Sequence, residues 1–565
     1  MLTFSTDPAV AEKQMQAIIF YLTTFGHIDG DFDASENAFV RDYIQKLVEH
    51  RVDTAMPGVD PKLRAELVSK HTIHFHEVFE GISRYVKELF TEAVSKDEQQ
   101  DEFVHAKLKL RCFEIFQSFD GQGREELMRT VDELVMADGV AHPAEVKFRA
   151  ELAALLEADL GVEVVEEGGA APPPVKVDGP TALDHGARTH PFFERFEHHY
   201  SRDTGQLAKQ VSADLSMLDK AIEVLGQQRA QGNGKLAGKK SVADLAGEAP
   251  FLDGWVYVLP PKPGARYELT VLGDLHGCYS CLKAAVMQAK FFDKVNAWRK
   301  DPESVPEPKL VLLGDYIDRG MFSYNGVLRT VTQIFLTAPE HVYMLRGNHE
   351  YYLEYQGHVY GGVKPAEAIN SLKPYMPTED VFKDYMTFFD ALPNMLLFDG
   401  MLFVHAGIPR DRLLKERWRD LSTLNDPDLR FQMMWSDPST ADVIPAELQQ
   451  QSARFPFGRL QCQAFLQRLG CHTLVRGHEK VNEGFKRVYD DPHCRLITLF
   501  SAGGRTNDDL PPESGYRSVT PMAMTVLHQD GETTITPWVI EYEAYNDPDR
   551  NAFFKAPPEI EHRAE

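Results

Sequence analysis

Cysteine is scarce in this chain: six among 565 residues, too few and too scattered to staple a fold. Long apolar runs are missing as well. No stretch of about 18 or more consecutive apolar residues occurs, so a membrane-spanning helix is not expected. Positive charge is in deficit, with 60 Lys and Arg against 85 Asp and Glu and a formal net charge of −25. Such a surface repels phosphate backbones, which argues against general nucleic-acid or anionic-membrane binding. The opening residues, MLTFSTDPAVAEKQ, lack the basic-then-apolar pattern of a secretory leader. Together these deficits lead to the expectation of a reduced, cytoplasmic protein. Apolar residues, by contrast, are plentiful. At 43% hydrophobic the chain can fill proper cores, and its length suits about three folding units.

Residues 1–160 read as an all-helical domain. Asp7-Pro8 has the pattern of an N-cap followed by proline in the first turn, and Ile18, Ile19, Tyr21 and Leu22 supply an apolar face. Asp33 and Glu36 are spaced as a capping box, followed by Phe39, Val40, Tyr43, Ile44 and Leu47 on one helical face. A similar start recurs where the Asp138-Gly139 turn precedes Pro143 and Glu145. Alternating Asp29, Asp31, Asp33 and Ser35 suggest a calcium loop. Its sixth and twelfth positions hold Ala34 and Val40 rather than Gly and Glu, so an EF-hand is excluded. The paired Asp-Gly turns, each leading into a Glu-bearing helix, resemble the TerB-like domains.

Residues 161–250 read as a linker: an acidic patch, a Gly-Gly pair and a proline run come first. An amphipathic helix over about 203–229 is then predicted from Leu207, Val211, Leu215, Leu218, Ile222 and Leu225, a narrow seam suited to docking on a neighbouring domain. The Gly-, Gln- and Lys-rich stretch 226–240 reads as soft. Residues 251–548 form the predicted catalytic domain, and 549–565 a tail.

From about residue 265 the pattern becomes short β-like runs that end in polar clusters. YELTVLGDLHG delivers Asp274 and His276; KLVLLGDYIDRG delivers Asp315, Asp318 and Arg319. HVYMLRGNHE delivers Asn348 and His349, MLFVHAG delivers His405, and HTLVRGHE delivers His478. The carboxyl ends of strands are where sheet proteins build ligand sites. Oxygen and nitrogen donors without thiolates suit first-row divalent ions. A shared carboxylate would let two ions sit about 3.5–4 Å apart, the spacing used to hydrolyse phosphate esters. Gly273, Gly277, Gly314, Gly320, Gly347 and Gly477 would let the backbone turn sharply there. Cys278 and Cys281, with no second cysteine pair to complement them, read as ordinary packing.

In order and spacing, GDLHG, GDYIDRG, RGNHE, His-Ala-Gly and a final Arg-Gly-His resemble the phosphoprotein phosphatase family of metallophosphoesterases. FFDALP at 388–393, WSDP at 435–438, FPFG at 455–458 and LFSAGG at 499–504 extend the likeness over roughly 265–545. The resemblance implies an α+β fold: two packed mixed sheets flanked by helices, the αββα metallophosphoesterase sandwich, beside the all-α N-terminal domain. It implies two divalent metal ions (Mn, Fe or Zn), one held by Asp274, His276 and Asp315, the other by Asp315, Asn348, His405 and His478. Arg319, with Asn348, would bind the substrate phosphate, His349 would protonate the leaving alkoxide, and Asp318 would orient His349. A hydroxide bridging the metals would attack phosphorus. The implied substrates are phosphorylated proteins, with the helical domain regulatory or partner-binding.

Two further activities are compatible with the sequence. GDLHGCY also resembles the start of the bacterial diadenosine polyphosphate hydrolases, although Asp318 and Glu350 favour the protein-phosphatase branch. An inactive regulatory scaffold is the other, and the complete ligand set speaks against it. The chain departs from the family where a second phosphate-binding arginine is usual. Arg454 is the nearest candidate, and Arg505, in SAGGR where the family has a tyrosine, is another.

Overall fold

The computed structural model describes residues 4–555 with the exception of 5–6, 28–31, 33, 91, 93, 96–97, 118, 120–123, 126–127, 131, 133–142, 158–174, 184–188 and 377. Two compact units emerge: residues 1–163 with 439–456, and residues 164–438 with 457–565.

The first unit is helical. Its helices are α1 (Pro8–Phe25), α2 (Ala34–Ala55), α3 (Pro61–Leu89), α4 (Gln100–Gln117) and α5 (Pro143–Glu157). Asp7 caps α1 by accepting the Val10 N–H at 3.3 Å, and Asp60 does the same for α3 from Lys62 and Leu63. The predicted face of α2 turns inward: Val40, Ile44 and Leu47 are fully buried beside Ile18, Tyr21 and Phe25 of α1. The Asp33 cap and both Asp-Gly turns lie outside the described residues. Residues 439–456, which the sequence reading ran together with the catalytic segment, belong to this unit, and Ala441, Ile444 and Leu448 are buried in its core.

The second unit contains α6 (Thr204–Gly232) and two sheets. Leu207, Val211, Leu218 and Leu225 of the predicted seam are buried in this unit's own core, with Leu215 and Ile222 partly so. The helix continues to Gly232, into the stretch read as soft. Contact decides this: a Cβ on Gly232 would lie 2.2 Å from the Leu252 carbonyl oxygen, so helix and strand backbones touch. A buried bidentate pair, Arg329 to Asp214 at 2.8 Å on both arms, anchors the helix further.

The strands are β1 (Val175–Val177), β2 (Phe251–Asp253), β3 (Val256–Leu259), β4 (Tyr267–Leu272), β5 (Glu307–Leu312), β6 (Val342–Met344), β7 (Met395–Phe398), β8 (Met401–Val404), β9 (Thr473–Arg476), β10 (Phe485–Asp491), β11 (Cys494–Leu499), β12 (Met522–Gln529) and β13 (Glu532–Val539). One sheet runs β10-β11-β9-β8-β7-β3-β2 and the other β1-β13-β12-β4-β5-β6. Both mix parallel and antiparallel pairs. Alternation places side chains in two layers. Leu396, Phe398, Met401 and Phe403 enter the core shared with the second sheet, while Met395, Leu397, Leu402 and Val404 pack outward with Phe465 and Leu466. Helices α7 (Tyr279–Gln288), α8 (Phe291–Lys300), α9 (Arg329–Thr337), α10 (Glu367–Leu372), α11 (Asp380–Ala391) and α12 (Arg459–Leu469) complete the unit. This is the expected α+β sandwich beside a helical domain. Among the described residues no helix is long and apolar enough to cross a membrane.

Candidate metal centre and phosphate site

Parallel neighbours β4, β5 and β6 of one sheet, and β8 and β9 of the other, each release a motif just past their carboxyl ends. An isolated bridge between Asp274 and Phe500 ties the two sheets where these motifs meet. The turns are held closely: the Leu275 and His276 N–H groups both donate to the Asp315 carbonyl, at 3.0 and 2.8 Å. Tight turns force unusual backbone. His276, Asp315, Asp318, Arg319 and His478 all have positive φ, between 42° and 70°, although none is glycine. Such conformations persist only where the surroundings over-determine them, and they cluster at functional sites. Close approach explains one glycine directly: a Cβ on Gly477 would sit 2.1 Å from Asp274 Oδ1.

Around Asp315 the electron-rich atoms converge. His276 Nε2 lies 3.4 Å from Asp315 Oδ2 and 3.7 Å from Asp274 Oδ2. On the other side His405 Nε2 lies 3.4 Å from Asp315 Oδ1, 2.9 Å from Asn348 Oδ1 and 3.2 Å from His478 Nδ1. The ligand-capable atoms of His276, Asp315 and His349 form one compact group; those of Asp315, His405 and His478 form a second. Asp315 belongs to both.

These atoms fit a cation better than they fit one another. His276 Nδ1 donates to the Ile317 carbonyl and His405 Nδ1 to that of Leu313, both at 3.0 Å. Each Nε2 then faces the cluster as a bare lone pair, the tautomer a metal-binding histidine needs. Asn348 lies against the same atoms, and two arrangements satisfy them. Reversed, its amide nitrogen donates to Asp315, His405 and His478 at 2.9–3.3 Å; with its oxygen inward, a cation between oxygen and lone pairs does the same. Without one, burial and the neighbouring Asp274 carboxylate hold Asp315 well above the usual carboxylate range. Burial likewise holds His276 and His405 well below the usual imidazole range, with His349 adding to both. A divalent ion reverses that cost by stabilising the ionised carboxylate and the neutral imidazoles.

Within the first group, His349 also belongs to a buried imidazole–carboxylate pair. His349 Nδ1 and Asp318 Oδ2 are 2.6 Å apart, both side chains almost fully buried, and His349 Nε2 points inward, 4.0 Å from Asp315 Oδ2. Arg319 lies next in sequence and is mostly buried, its Nη1 donating to Glu367 Oε1 at 2.7 Å.

The two candidate arginines have surroundings of their own. Arg454 is counted with the helical unit, where its Nη1 donates to Glu92 at 2.9 Å and its guanidinium lies over the Phe103 ring. The side chain of Arg505 is exposed, and among the described residues its guanidinium has no hydrogen bond. Tyr516 does approach the cluster: its ring is 5.3 Å from that of His276 and 5.2 Å from that of Phe500. Sequence reasoning missed Tyr516 because it sits eleven residues beyond Arg505 with no motif around it.

It also missed what Glu350 does. Its buried carboxylate accepts N–H bonds from Asp315, Tyr316, Gly347 and Ile317 at 2.7–3.4 Å, pinning the GDYID turn. Asp437, in the WSDP segment, accepts from Arg476 at 2.9 Å and lies 3.8 Å from His478 Nε2, a carboxylate behind that imidazole.

Residues 267–482 match the calcineurin-like phosphoesterase family. Over this stretch the chain is similar to calcineurin-like phosphoesterases. Curated relatives agree. The serine/threonine-protein phosphatase 6 catalytic subunit of Caenorhabditis elegans is 32% identical over 244 residues, 41% of this chain and 64% of that protein. The phosphatase 4 catalytic subunit of Eremothecium gossypii is 26% identical over 238 residues, 41% of this chain and 68% of that protein. Human serine/threonine-protein phosphatase 5 is 27% identical over 237 residues, 42% of this chain and 43% of that protein. The chain thus spans just under two thirds of the first relative and less than half of the human one. A solved Saccharomyces cerevisiae protein serine/threonine phosphatase aligns with 58% of this chain and 89% of its own at 18% identity. Its TM-score of 0.36 is too low to bear on the fold. The matched residues contain Asp274, His276, Asp315, Asn348, His405 and His478. Tyr516 lies beyond them.

Proposed function

We propose that this protein is a metal-dependent phosphomonoester hydrolase acting on phosphoserine and phosphothreonine in proteins. The observation that carries this reading is the pair of lone-pair clusters sharing Asp315, with His349 of the first cluster also paired to the buried Asp318 carboxylate. Asp274, His276 and Asp315 would hold one divalent ion, and Asp315, Asn348, His405 and His478 a second, of Mn, Fe or Zn. Bound there, the ions would supply Lewis acidity and make water a nucleophile at neutral pH.

The chain's own groups do the rest. Arg319 presents a planar guanidinium to the phosphoryl oxygens, helped by Asn348. His349 delivers a proton from Nε2 to the departing alkoxide. Asp318, 2.6 Å from Nδ1, fixes the ring and stabilises its charged form. Burial excludes bulk water from this transfer, which strengthens each electrostatic contact. Within the same proposal the helical unit, which supplies none of the ligand set, is assigned partner binding or regulation rather than chemistry.

A side-by-side assay of manganese-loaded protein tests this. Phosphoserine and phosphothreonine peptides, a phosphotyrosine peptide and diadenosine tetraphosphate would be compared by kcat/KM. The reading requires the first two to lead by at least tenfold. Faster turnover of the dinucleotide would overturn the protein-substrate assignment, and no turnover of any substrate would overturn hydrolysis itself.

A further inference from the structure

Asp318 and Arg319 are consecutive, neither is glycine, and both lie in the left-handed region at φ 68° and 67°. Each such residue costs about 1–2 kcal/mol unless neighbours hold it there. One dipeptide grips both. The Ala368 N–H donates to Asp318 Oδ1 at 2.7 Å, and Glu367 Oε1 accepts from Arg319 Nη1 at 2.7 Å. The ion pair is only half made. Arg319 Nε and Glu367 Oε2 are both buried and, among the described residues, have no hydrogen-bond partner. A full two-pronged pairing would satisfy both atoms. As built, the carboxylate holds the guanidinium through Nη1 and leaves a desolvated donor, the Nε–H, on the opposite edge of the group, a donor that an anion can satisfy.

We infer that Glu367 is a positioning residue that fixes Arg319 and weakens phosphate binding at this site, so that product can leave. The charges around it are consistent with that role. Burial, reinforced by the Asp318 charge, pushes the Glu367 carboxyl up to about 7, with Arg319 opposing. Glu367 therefore offsets Arg319 with a charge that the site itself makes costly. An incoming phosphoryl group meets a guanidinium already engaged, and a departing phosphate is replaced at Arg319 by a carboxylate waiting alongside.

The inference rests on the phosphatase reading, and the test separates the two. Inorganic phosphate would be titrated calorimetrically into full-length, manganese-loaded protein, and product inhibition measured on a phosphothreonine peptide. Glu367→Gln keeps an acceptor for Nη1 but removes the charge. Its phosphate Kd and inhibition constant should both fall about tenfold, the size of one unit charge acting over several ångströms in a partly buried site. Glu367→Ala removes the anchor too, and its kcat should fall at least tenfold below that of Glu367→Gln. Unchanged or weaker phosphate binding in a normally melting Glu367→Gln protein overturns the inference. So do equal kcat values for the two variants. Wild-type protein that neither binds phosphate nor hydrolyses any phosphoester overturns the phosphatase reading, and this inference falls with it.

Discussion

Replacing His349 by Asn separates the proton-transfer role from every structural one. The imidazole sits 2.6 Å from Asp318 with both side chains buried, so its donor capacity is preorganised rather than borrowed from water. A positioned general acid contributes about 10²–10⁴ in rate, or roughly 3–5 kcal/mol at 1.36 kcal/mol per decade. That contribution is needed for serine alkoxide, a strongly basic leaving group, and hardly at all for p-nitrophenolate. His349→Asn should therefore lose about 10²–10⁴ in kcat on a phosphoserine peptide and less than about tenfold on p-nitrophenyl phosphate, with metal content retained. Asp318→Asn acts on the same step. An Asn there can accept the Ala368 N–H only by turning its NH₂ towards His349, which forces the ring proton to Nε2 and removes the charge partner of the imidazolium. Loss of a buried charge-assisted bond is worth about 1.5–3 kcal/mol, so about 10- to 150-fold on the peptide. Because Asp318 works through His349, the double variant should be scarcely slower than His349→Asn alone. Equal losses on both substrates, or multiplicative effects of the two substitutions, would refute the assignment.

Other expectations follow from the same geometry. Asp315→Asn removes the one carboxylate common to both clusters, so bound divalent metal measured by mass spectrometry should fall from two equivalents towards none; retention of one tight ion would show that Asp315 is not shared. Asp509, buried against Ser280, has its carboxyl pushed up to about 7 by desolvation. A group raised in the folded state stabilises fully below its unfolded value near 3.8 and loses that contribution as pH rises through about 7. Asp509→Asn should flatten this part of the pH dependence of urea midpoints between about pH 4 and 7, worth on the order of 4 kcal/mol; an identical slope in the two proteins would be inconsistent with it. Ile444, 1% exposed in the helical core, should cost about 2–5 kcal/mol as Ile444→Ala in an unfolding titration, and a loss below 1 kcal/mol would mean that the site collapses freely.

The convergence of these side chains was legible because each motif encodes two things locally: a strand that ends and a polar group delivered where it ends. Asp274, His276, Asp315, Asn348, His405 and His478 all sit within five residues of a strand terminus. Residues set by tertiary contact were not legible. Tyr516 reaches His276 from a turn with no regular spacing, and Glu367 meets Arg319 across 48 residues. Arg454 has a partner that the sequence did not show. Proximity to FPFG made it a phosphate-binding candidate, yet Glu92, 362 residues away in sequence, is what holds it. The seam helix was read correctly as amphipathic, but its length was not, because Gly232 is tolerated by backbone contact with Leu252 rather than by propensity.

The excursion of residues 439–456 has a practical consequence for anyone cutting this protein. Truncation before residue 164 looks, from the linear map, like a clean way to isolate the phosphoesterase domain. It would strip the partners from Ala441, Ile444 and Leu448, leaving an apolar segment with nothing to cover it. Lys109, which donates to Gln451, and Glu114, which accepts from Ser439, would go with it. Such a fragment should aggregate whether or not the helices regulate anything, and its inactivity would be mistaken for a lost activator. An informative deletion has to remove the helices and replace 439–456 by a short polar turn in the same step.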